Sequence, residues 1–360
     1  MLDRIWKKIV HRQGFGLLSI TDSLLWILSL LYRVASVLHR LMVGAPVRAA
    51  VPVISVGNTA VGGSGKTPIV AYLAQHLIER GIKVGLVSSG YGRSNPAPLL
   101  ALGSELQRLS ADQVGDEVLL LSHLLPVAVF AVDTVKAKAA VRLGESKKVD
   151  VIIVDDGFQH FRLARDLDIV TFDASVDQKL LHLLPYGVLR EPLSALGRAD
   201  IVILTRAESV ENIAAVRQKV LRLSPEAEID VATFSISELV GRSGWLSVSQ
   251  IAGMKILAFA GIGNFEAFRK QMESLTGCVI ETLEFPDHER YGDASLKKIR
   301  HRAIDTGADL IVTTGKDWYK LGDFDFGRKL YYVRQTVNLE SDELTISGII
   351  NRLGLTKRNH

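Results

Sequence analysis

The sequence of 360 residues has a single cysteine, Cys278, so no disulfide can form within the chain. No group of cysteines and histidines has the spacing of a zinc site, and the chain has no internal repeat and no low-complexity tract. These absences exclude a disulfide-stapled extracellular domain, a zinc finger and a repeat solenoid. Hydrophobic residues make up 48% of the chain and charged residues 23%, which suits about two domains with sizeable cores in a reducing compartment.

Acidic residues are scarce in the first fifty positions, where only Asp3 and Asp22 occur. The same segment holds seven basic residues, Arg4, Lys7, Lys8, Arg12, Arg33, Arg40 and Arg48. This segment therefore has a net charge of +5, and the rest of the chain has −1, which together give the chain's net charge of +4. A surface for nucleic acid should not be confined to one apolar end segment, so we expect no nucleic-acid partner. The charge instead predicts contact with anionic lipid at a membrane surface.

Residues 15 to 43 form a long apolar stretch without an uncharged run of the ~20 residues that a bilayer span needs. It also lacks the small-residue cleavage site of a signal peptide. Its polar residues recur at helical spacing and would form one narrow stripe, made of Asp22, Ser29, Arg33, Ser36 and Arg40. The pattern predicts an amphipathic helix lying in a membrane interface, which we assign to residues 1–45. A helix packed in the core of the next domain and a true span are the alternatives.

A glycine-rich turn between a strand pattern and a helix pattern is the strongest local signal. An apolar β-branched run over 51–56 predicts a buried strand, and a helical pattern runs to Glu79. The turn and the two residues after it are Gly62, Gly63, Ser64, Gly65, Lys66 and Thr67. Backbone N–H groups of such a turn bind phosphate oxygens at a helix N-terminus, the lysine reaches the β- and γ-phosphates, and the threonine holds Mg²⁺. Ala60 stands where the strict phosphate-loop pattern has glycine, so the match is to a relaxed pattern.

Strand patterns and helix patterns alternate along most of the chain. This order predicts an α/β fold of the P-loop NTPase type, with a doubly wound parallel sheet and a second, smaller α/β domain. We assign residues 46–245 to the core domain, with an irregular connector over 208–254, and 246–360 to the second domain. The predicted strands after the first cover 83–88, 127–132, 149–154, 167–172, 199–204, 255–260, 279–285 and 309–314.

Two carboxylates, Asp155 and Asp156, directly follow a predicted central strand. Acids at a strand end often only cap a loop. In a chain that also has a phosphate loop they resemble the Walker-B acids that bind Mg²⁺ directly or through water. The chain has no guanine-specific Asn/Thr-Lys-x-Asp motif, which favours ATP as the nucleotide.

Asp116 opens a helical run and has two interpretations. It could be a helix N-cap and nothing more, or a base that takes a proton from an acceptor hydroxyl. A lone aspartate, with an ordinary pKa near ~4, needs a partner for that role. His288 is the candidate by residue type, although on the residues alone a structural histidine is the better interpretation. Arg190 could be a solvated loop residue or could neutralise phosphate.

Taken together, the motifs resemble those of the tetraacyldisaccharide 4′-kinase family, the lipid A 4′-kinases. The resemblance runs from the N-terminal helix to about Leu321. Its most specific blocks are Asp155-Asp156-Gly157-Phe158-Gln159-His160 and Phe285-Pro286-Asp287-His288. The others are Gly57-Asn58, Val61 to Pro68, Gly115-Asp116-Glu117, Leu184-Pro185 with Gly187, Leu189 to Pro192, Gly261 to Asn264 and Thr314 to Asp317. One departure is Ser89, where the family pattern has arginine.

The resemblance implies an enzyme of lipid A biosynthesis on the cytoplasmic face of the inner membrane, without an obligate protein partner. It would transfer the γ-phosphate of ATP to the 4′-hydroxyl of tetraacyldisaccharide 1-phosphate and form lipid IV-A. Asp116 would be the catalytic base, with His288 as its partner in a dyad across the domain cleft. The other roles would be ATP binding by Gly62 to Thr67, Mg²⁺ binding by Thr67, Asp155 and Asp156, and substrate contacts by Asn58, Gln159, His160, Arg190 and Glu191.

Two other functions compete with this hypothesis. A membrane-associated P-loop ATPase acting as a nucleotide-driven switch or targeting factor would need no acceptor base, and the Asp116 and His288 blocks argue against it. A soluble small-molecule kinase would leave the N-terminal helix without a purpose.

Overall fold

The computed structural model describes residues 20–276 and 279–355. Its strands are β1 Val53–Asn58, β2 Val84–Ser88, β3 Leu99–Leu102, β4 Val129–Val132, β5 Val151–Asp155, β6 Leu167–Asp173, β7 Ile201–Thr205, β8 Glu228–Gly241, β9 Gly244–Ser247, β10 Ile256–Ala260, β11 Val279–Glu284, β12 Leu310–Thr314 and β13 Lys329–Leu339.

The α-helices of the described residues vary from single turns to the long first helix. They are α1 Ile20–Met42, α2 Lys66–Glu79, α3 Gly103–Leu106, α4 Ala111–Val114, α5 Asp116–Leu124, α6 Lys136–Glu145, α7 Ile213–Leu223, α8 Phe265–Thr276, α9 Asp293–Asp305, α10 Gly315–Trp318 and α11 Asp342–Leu353.

The chain divides into two compact units that do not follow chain order. Unit 1 comprises the described residues of Met1–Val87, Val135–Thr233 and Leu339–His360, and unit 2 comprises those of Ser88–Thr134 and Phe234–Asn338. The predicted ranges 46–245 and 246–360 divide the chain differently, because Ser88–Thr134 belongs to the same unit as the C-terminal strands.

In unit 1 a parallel sheet runs in the order β8-β7-β6-β1-β5-β2. Every residue of β1, β5 and β7 is buried, as expected for central strands that helices cover on both faces. Helix α2 packs on this sheet through Ile69, Leu73 and Leu77. The carboxyl ends of adjacent parallel strands meet at one edge, so β1 and β5 bring the segments that follow them together there.

In unit 2 a parallel sheet has β10 between β11 and β12, and β13 on the far side of β12. Side chains of β10 alternate between two cores: Ile256, Ala258 and Ala260 pack in one, and Leu257 and Phe259 pack in the other. Strands β3 and β4 form an antiparallel pair, and the end of β8 pairs with β9. The predicted α/β fold with parallel sheets is confirmed.

The prediction of an irregular connector over 208–254 is wrong. This segment contains α7 and the 14-residue strand β8. Buried and exposed positions alternate irregularly along β8, and charged residues interrupt its apolar pattern, so it does not read as a strand. The loop predicted after β2 likewise contains the short strand β3.

Helix α1 turns its polar stripe toward the protein and its apolar surface outward. Asp22 and Ser29 are buried, and the hydroxyl of Tyr32 donates to the carbonyl oxygen of Arg190 at 3.0 Å. The exposed apolar side chains are Leu24, Trp26, Ile27, Leu28, Leu30, Leu31, Val34, Val37, Leu38, Leu41 and Met42. A core helix would bury these residues, so that alternative is wrong. Length and composition would let the helix cross a membrane, and its exposed apolar surface suggests membrane association.

Candidate active site

The glycine-rich loop of unit 1 lies between β1 and α2, as predicted. Gly62 and Gly65 have φ angles of 103° and 77°, which side chains with a Cβ rarely adopt. Ala60, which stands where the strict pattern has glycine, forms an antiparallel β-bridge with Leu189. Helix α2 begins at Lys66, so its N-terminal N–H groups and positive dipole end belong to the loop.

Ser64 anchors the loop to the sheet behind it. Its hydroxyl lies 2.8 Å from Nδ2 of Asn58 and 2.9 Å from the hydroxyl of Thr171, and all three residues are buried. Asn58, predicted as a substrate contact, is 1% exposed, and its side-chain amide supports the phosphate loop.

Asp156 is the electrostatic centre of the unit 1 site. Its carboxylate lies 3.5 Å from Nζ of Lys66 and accepts two bonds from the Arg190 guanidinium at 2.9 and 3.1 Å. Burial raises the pKa of Asp156, but the charges of Lys66, Arg190 and Lys136 outweigh it and hold the pKa far below its usual range. The residue has a φ of 52°, a left-handed conformation that its surroundings must hold against strain.

Lys136, at the start of α6, is a site residue that the sequence analysis missed. Its buried ammonium donates to the carbonyl oxygens of Asp155 and Asp156 at 2.7 and 2.9 Å. It thereby fixes the backbone that carries both carboxylates. A lysine at the head of an otherwise apolar helix face was the signal available in the sequence.

The three residues predicted to hold Mg²⁺ carry oxygen atoms, the donor type that fits the ion's chemistry. Thr67 offers a hydroxyl in the first turn of α2, and Asp155 and Asp156 offer carboxylates at the end of β5, beside the strand that leads into the loop. Mg²⁺ prefers a few such oxygens together with substrate phosphates. Asp156 stays ionised because its pKa is lowered.

The Asp155 to His160 block fits closely against β1. A Cβ on Gly57 would lie 2.5 Å from Cβ of Phe158, so only glycine permits this approach. Gln159 then donates to the carbonyl oxygen of Asn58 and to Glu191, both at 2.9 Å. Burial and then the Lys136 charge lower the pKa of His160 to about 4, so its imidazole is neutral at pH 7.

A cavity of about 610 Å³ in unit 1 joins these residues to helix α1. One wall is formed by α1, and the other carries Asp156, Gln159, His160, Arg190 and Glu191. Glu191 is paired with Arg198 at 2.9 Å, and Arg198 also contacts the face of Phe158. Four of the five predicted substrate residues therefore line one cavity, and Asn58 is the exception.

Asp116 and His288 meet in unit 2. Oδ2 of Asp116, the first residue of α5, lies 3.1 Å from Nδ1 of His288. The predicted pairing is thus present in the geometry. The predicted domain ranges put the two residues in different domains, whereas the structure has both in unit 2. His288 has a φ of 59°, a left-handed conformation that favours glycine and marks strain at this position.

Two lysines of the Thr314 to Leu321 segment surround this pair, and the sequence analysis missed both as site residues. Nζ of Lys320 lies 3.3 Å from Oδ2 of Asp116 and 3.0 Å from Oδ1 of Asp317, and Nζ of Lys316 lies 3.5 Å from Nε2 of His288. Burial raises the pKa of Asp116, but the His288 hydrogen bond and the two lysines outweigh it and lower the pKa below its usual value.

Ser89 stands where the family pattern has arginine. The nearby Arg93 does not direct its guanidinium at the Asp116–His288 pair in place of that arginine. The Arg93 guanidinium donates to the carbonyl oxygens of Ala97 and Pro96 at 3.0 and 2.9 Å. These bonds stabilise the loop that contains Arg93 itself. The neighbouring Tyr91 contributes a ring whose centroid lies 5.1 Å from that of His288.

Comparison with known proteins gives one consistent result. The family model described as tetraacyldisaccharide-1-P 4′-kinase matches residues 21–353. The tetraacyldisaccharide 4′-kinase of Pelobacter propionicus is 36% identical over 85% of this chain and 84% of its own. That of Halothermothrix orenii is 31% identical over 93% of this chain and 90% of its own. The crystal structure of LpxK from Aquifex aeolicus in complex with ATP matches with a TM-score of 0.75 and 29% identity, over 93% of this chain and 100% of that one. The chain belongs to the tetraacyldisaccharide-1-P 4′-kinase family.

Proposed function

We propose that this kinase phosphorylates the 4′-hydroxyl of tetraacyldisaccharide 1-phosphate at the cytoplasmic face of the inner membrane, with Asp116 as the base. The enzyme uses ATP with Mg²⁺, as members of its family do. The observation that carries the proposal is the Asp116–His288 pair in a chain that also has a phosphate loop. A hydroxyl acceptor needs such a base, whereas hydrolysis in a switch protein does not.

The residues of unit 1 hold and neutralise the phosphates of ATP. Lys66 and the N–H groups of the loop bind the β- and γ-phosphates, and the Asp156–Arg190 pair fixes the charge beside them. Thr67, Asp155 and Asp156 would hold Mg²⁺, which would supply positive charge to the phosphates during transfer. Catalysis then depends mainly on position and charge, since the chemistry of phosphoryl transfer needs little else from the protein.

Asp116 performs the proton transfer. The acceptor hydroxyl gives its proton to Oδ1 of Asp116 while its oxygen forms a bond to the γ-phosphorus. The bond from that phosphorus to the β,γ-bridging oxygen breaks, and ADP leaves with the electron pair. Both contacts to Asp116 from His288 and Lys320 use Oδ2, so Oδ1 remains for the substrate.

The cavity beside α1 is our candidate binding site for the lipid headgroup. Arg33 and Arg40 on α1 and Arg190 on the opposite wall supply cations for a sugar phosphate. The exposed apolar surface of α1 suits contact with acyl chains. A lipid substrate can therefore reach the cavity while its acyl chains remain in the bilayer. The basic charge of the first fifty residues supports the anionic cytoplasmic leaflet as the docking surface.

The decisive experiment measures transfer of label from γ-labelled ATP to tetraacyldisaccharide 1-phosphate in detergent micelles. We expect label in the lipid with the wild-type protein, loss of transfer in Lys66→Ala, and wild-type transfer in Lys148→Ala, an exposed lysine of unit 1. Release of all label as inorganic phosphate, whatever lipid is present, would instead favour the ATPase switch.

A further inference from the structure

The two ring nitrogens of His288 face groups of opposite hydrogen-bonding character. Nδ1 lies 3.1 Å from the carboxylate of Asp116, and Nε2 lies 3.5 Å from the ammonium of Lys316. An ionised carboxylate can only accept and an ammonium can only donate. The neutral ring therefore carries its proton on Nδ1 and directs the lone pair of Nε2 at Lys316. The carboxylate of Asp287 is farther from Nε2, at 3.9 Å, beyond hydrogen-bonding distance.

Lys316 is held in place by its own neighbours. Its Nζ lies 3.7 Å from Glu117 and 3.6 Å from Asp287, and its side chain is only 17% exposed. It stands in α10, directly after β12, where a Cβ on Gly315 would already lie 3.1 Å from Leu120. A lysine fixed in this way presents its charge to Nε2 as a constant feature of the site.

This charge decides which member of the pair takes the substrate proton. In aspartate–histidine pairs that activate a hydroxyl, the usual arrangement has the aspartate on Nδ1 and leaves Nε2 to accept the proton. Here Nε2 faces the ammonium of Lys316 at 3.5 Å, so its lone pair is directed at the protein. The histidine therefore orients the carboxylate through Nδ1 and does not present a free Nε2 to the substrate hydroxyl.

We propose that Lys316 is a positioning residue that holds His288 as the Nδ1–H tautomer and thereby leaves Asp116 as the group that accepts the proton of the substrate hydroxyl. The inference rests on the proposed function, in which Asp116 is the base. It adds a residue that acts through His288 and touches no substrate.

The test measures which ring nitrogen of His288 is protonated and how fast the enzyme turns over. Full-length protein labelled with ¹⁵N-histidine in detergent micelles gives the shifts of both ring nitrogens, and His288→Gln assigns them. We expect a protonated Nδ1 and an unprotonated Nε2 at neutral pH. In Lys316→Met, which keeps the length of the side chain but cannot donate, we expect the Nε2 signal to move toward the protonated range. In this variant kcat should fall roughly 10-fold, on the scale of one charge-assisted hydrogen bond, with KM for ATP unchanged.

The control variants separate this role from a structural one. Lys316→Arg should keep the wild-type shifts and most of kcat, and Lys297→Met, an exposed lysine of α9, should change neither. A protonated Nε2 in the wild-type protein, or wild-type shifts in Lys316→Met, overturns the proposal whatever kcat does. Wild-type kcat in Asp116→Asn would instead refute Asp116 as the base, and so the proposed function's mechanism, while the shifts still report on Lys316.

Discussion

Asp116 and His288 are separated by 172 residues in the chain, yet Oδ2 of one lies 3.1 Å from Nδ1 of the other. Lys320 approaches the same oxygen at 3.3 Å. One oxygen of Asp116 is thus committed to the protein, and this asymmetry gives the carboxylate one orientation toward an acceptor.

Asp116→Asn should lower kcat by about 10²–10⁴-fold, the usual contribution of a general base. The asparagine keeps the shape of the side chain but cannot accept the proton, so KM for ATP should stay near its wild-type value. Steady-state kinetics with saturating lipid measure both constants. Asp112→Asn, an exposed acid four residues earlier, is the matched control and should stay within about twofold of wild type. Near-normal turnover by Asp116→Asn would remove the residue from the base role.

Lys320→Met should destabilise the protein as well as slow it. The lysine is 5% exposed and is the ammonium between Asp116 and the fully buried Asp317, so its loss leaves two carboxylates without that charge. Removing one partner from a buried ion pair costs about 3–5 kcal/mol. Chemical denaturation should show a loss on this scale in the free energy of unfolding. The double variant Lys320→Met, Asp317→Asn should recover part of it, because fewer buried charges remain unpaired. A double variant less stable than the single one would contradict this account.

His160 should make the protein less stable as the pH falls from neutral. Its pKa in the folded protein, about 4, lies below the ordinary histidine value of 6.5, so the unfolded chain takes up the proton first. Stability from the neutral ring is complete above pH ~6.5 and is lost progressively down to pH ~4. Between pH 7.5 and 5 the loss amounts to at most about 2 kcal/mol. We expect His160→Gln to remove this part of the pH dependence, measured by denaturation at both values. Equal slopes in the variant and the wild type would disprove it.

Leu31→Glu with Leu38→Glu should release the protein from anionic vesicles. Both leucines lie on the exposed apolar side of α1, and burying each in a membrane contributes about 1.5–3 kcal/mol. The partition coefficient should therefore fall by roughly 100-fold or more in a vesicle sedimentation assay. Leu344→Glu, a change at a still more exposed leucine of α11, should leave partitioning unchanged. Equal partitioning of the α1 variant would argue against this face as the membrane contact.

The sequence predicted best those features that depend on neighbours in the chain. The phosphate loop, β1 and the Asp155 to His160 block follow from local patterns of glycine, β-branched residues and charge, and the structure has each of them where it was expected. The core strands are within two or three residues of their predicted ends, because continuous apolar runs end where polar residues begin.

Features that depend on distant contacts were harder to predict. Lys316 and Lys320 look like ordinary surface lysines until the fold brings α5 and α10 together. Asn58, beside a phosphate loop, suggests a ligand contact, and only the burial of its side chain against Ser64 shows its supporting role. The polar stripe of α1 was readable from the sequence, but its contacts with the protein were not, since they depend on distant partners such as Phe161, whose ring centroid lies 4.9 Å from the Arg40 guanidinium.

The discontinuity of unit 2 has a consequence for biosynthesis. Asp116 leaves the ribosome long before His288 and Lys316, whereas the strands around the phosphate loop are complete once β8 has emerged. During translation the growing chain therefore carries a complete phosphate loop before the Asp116–His288 pair can form. No truncation at either terminus can yield unit 2 as one uninterrupted polypeptide, because residues 135–233 of unit 1 separate its two segments. A gene fragment that encodes unit 2 alone would have to join these segments with an artificial linker.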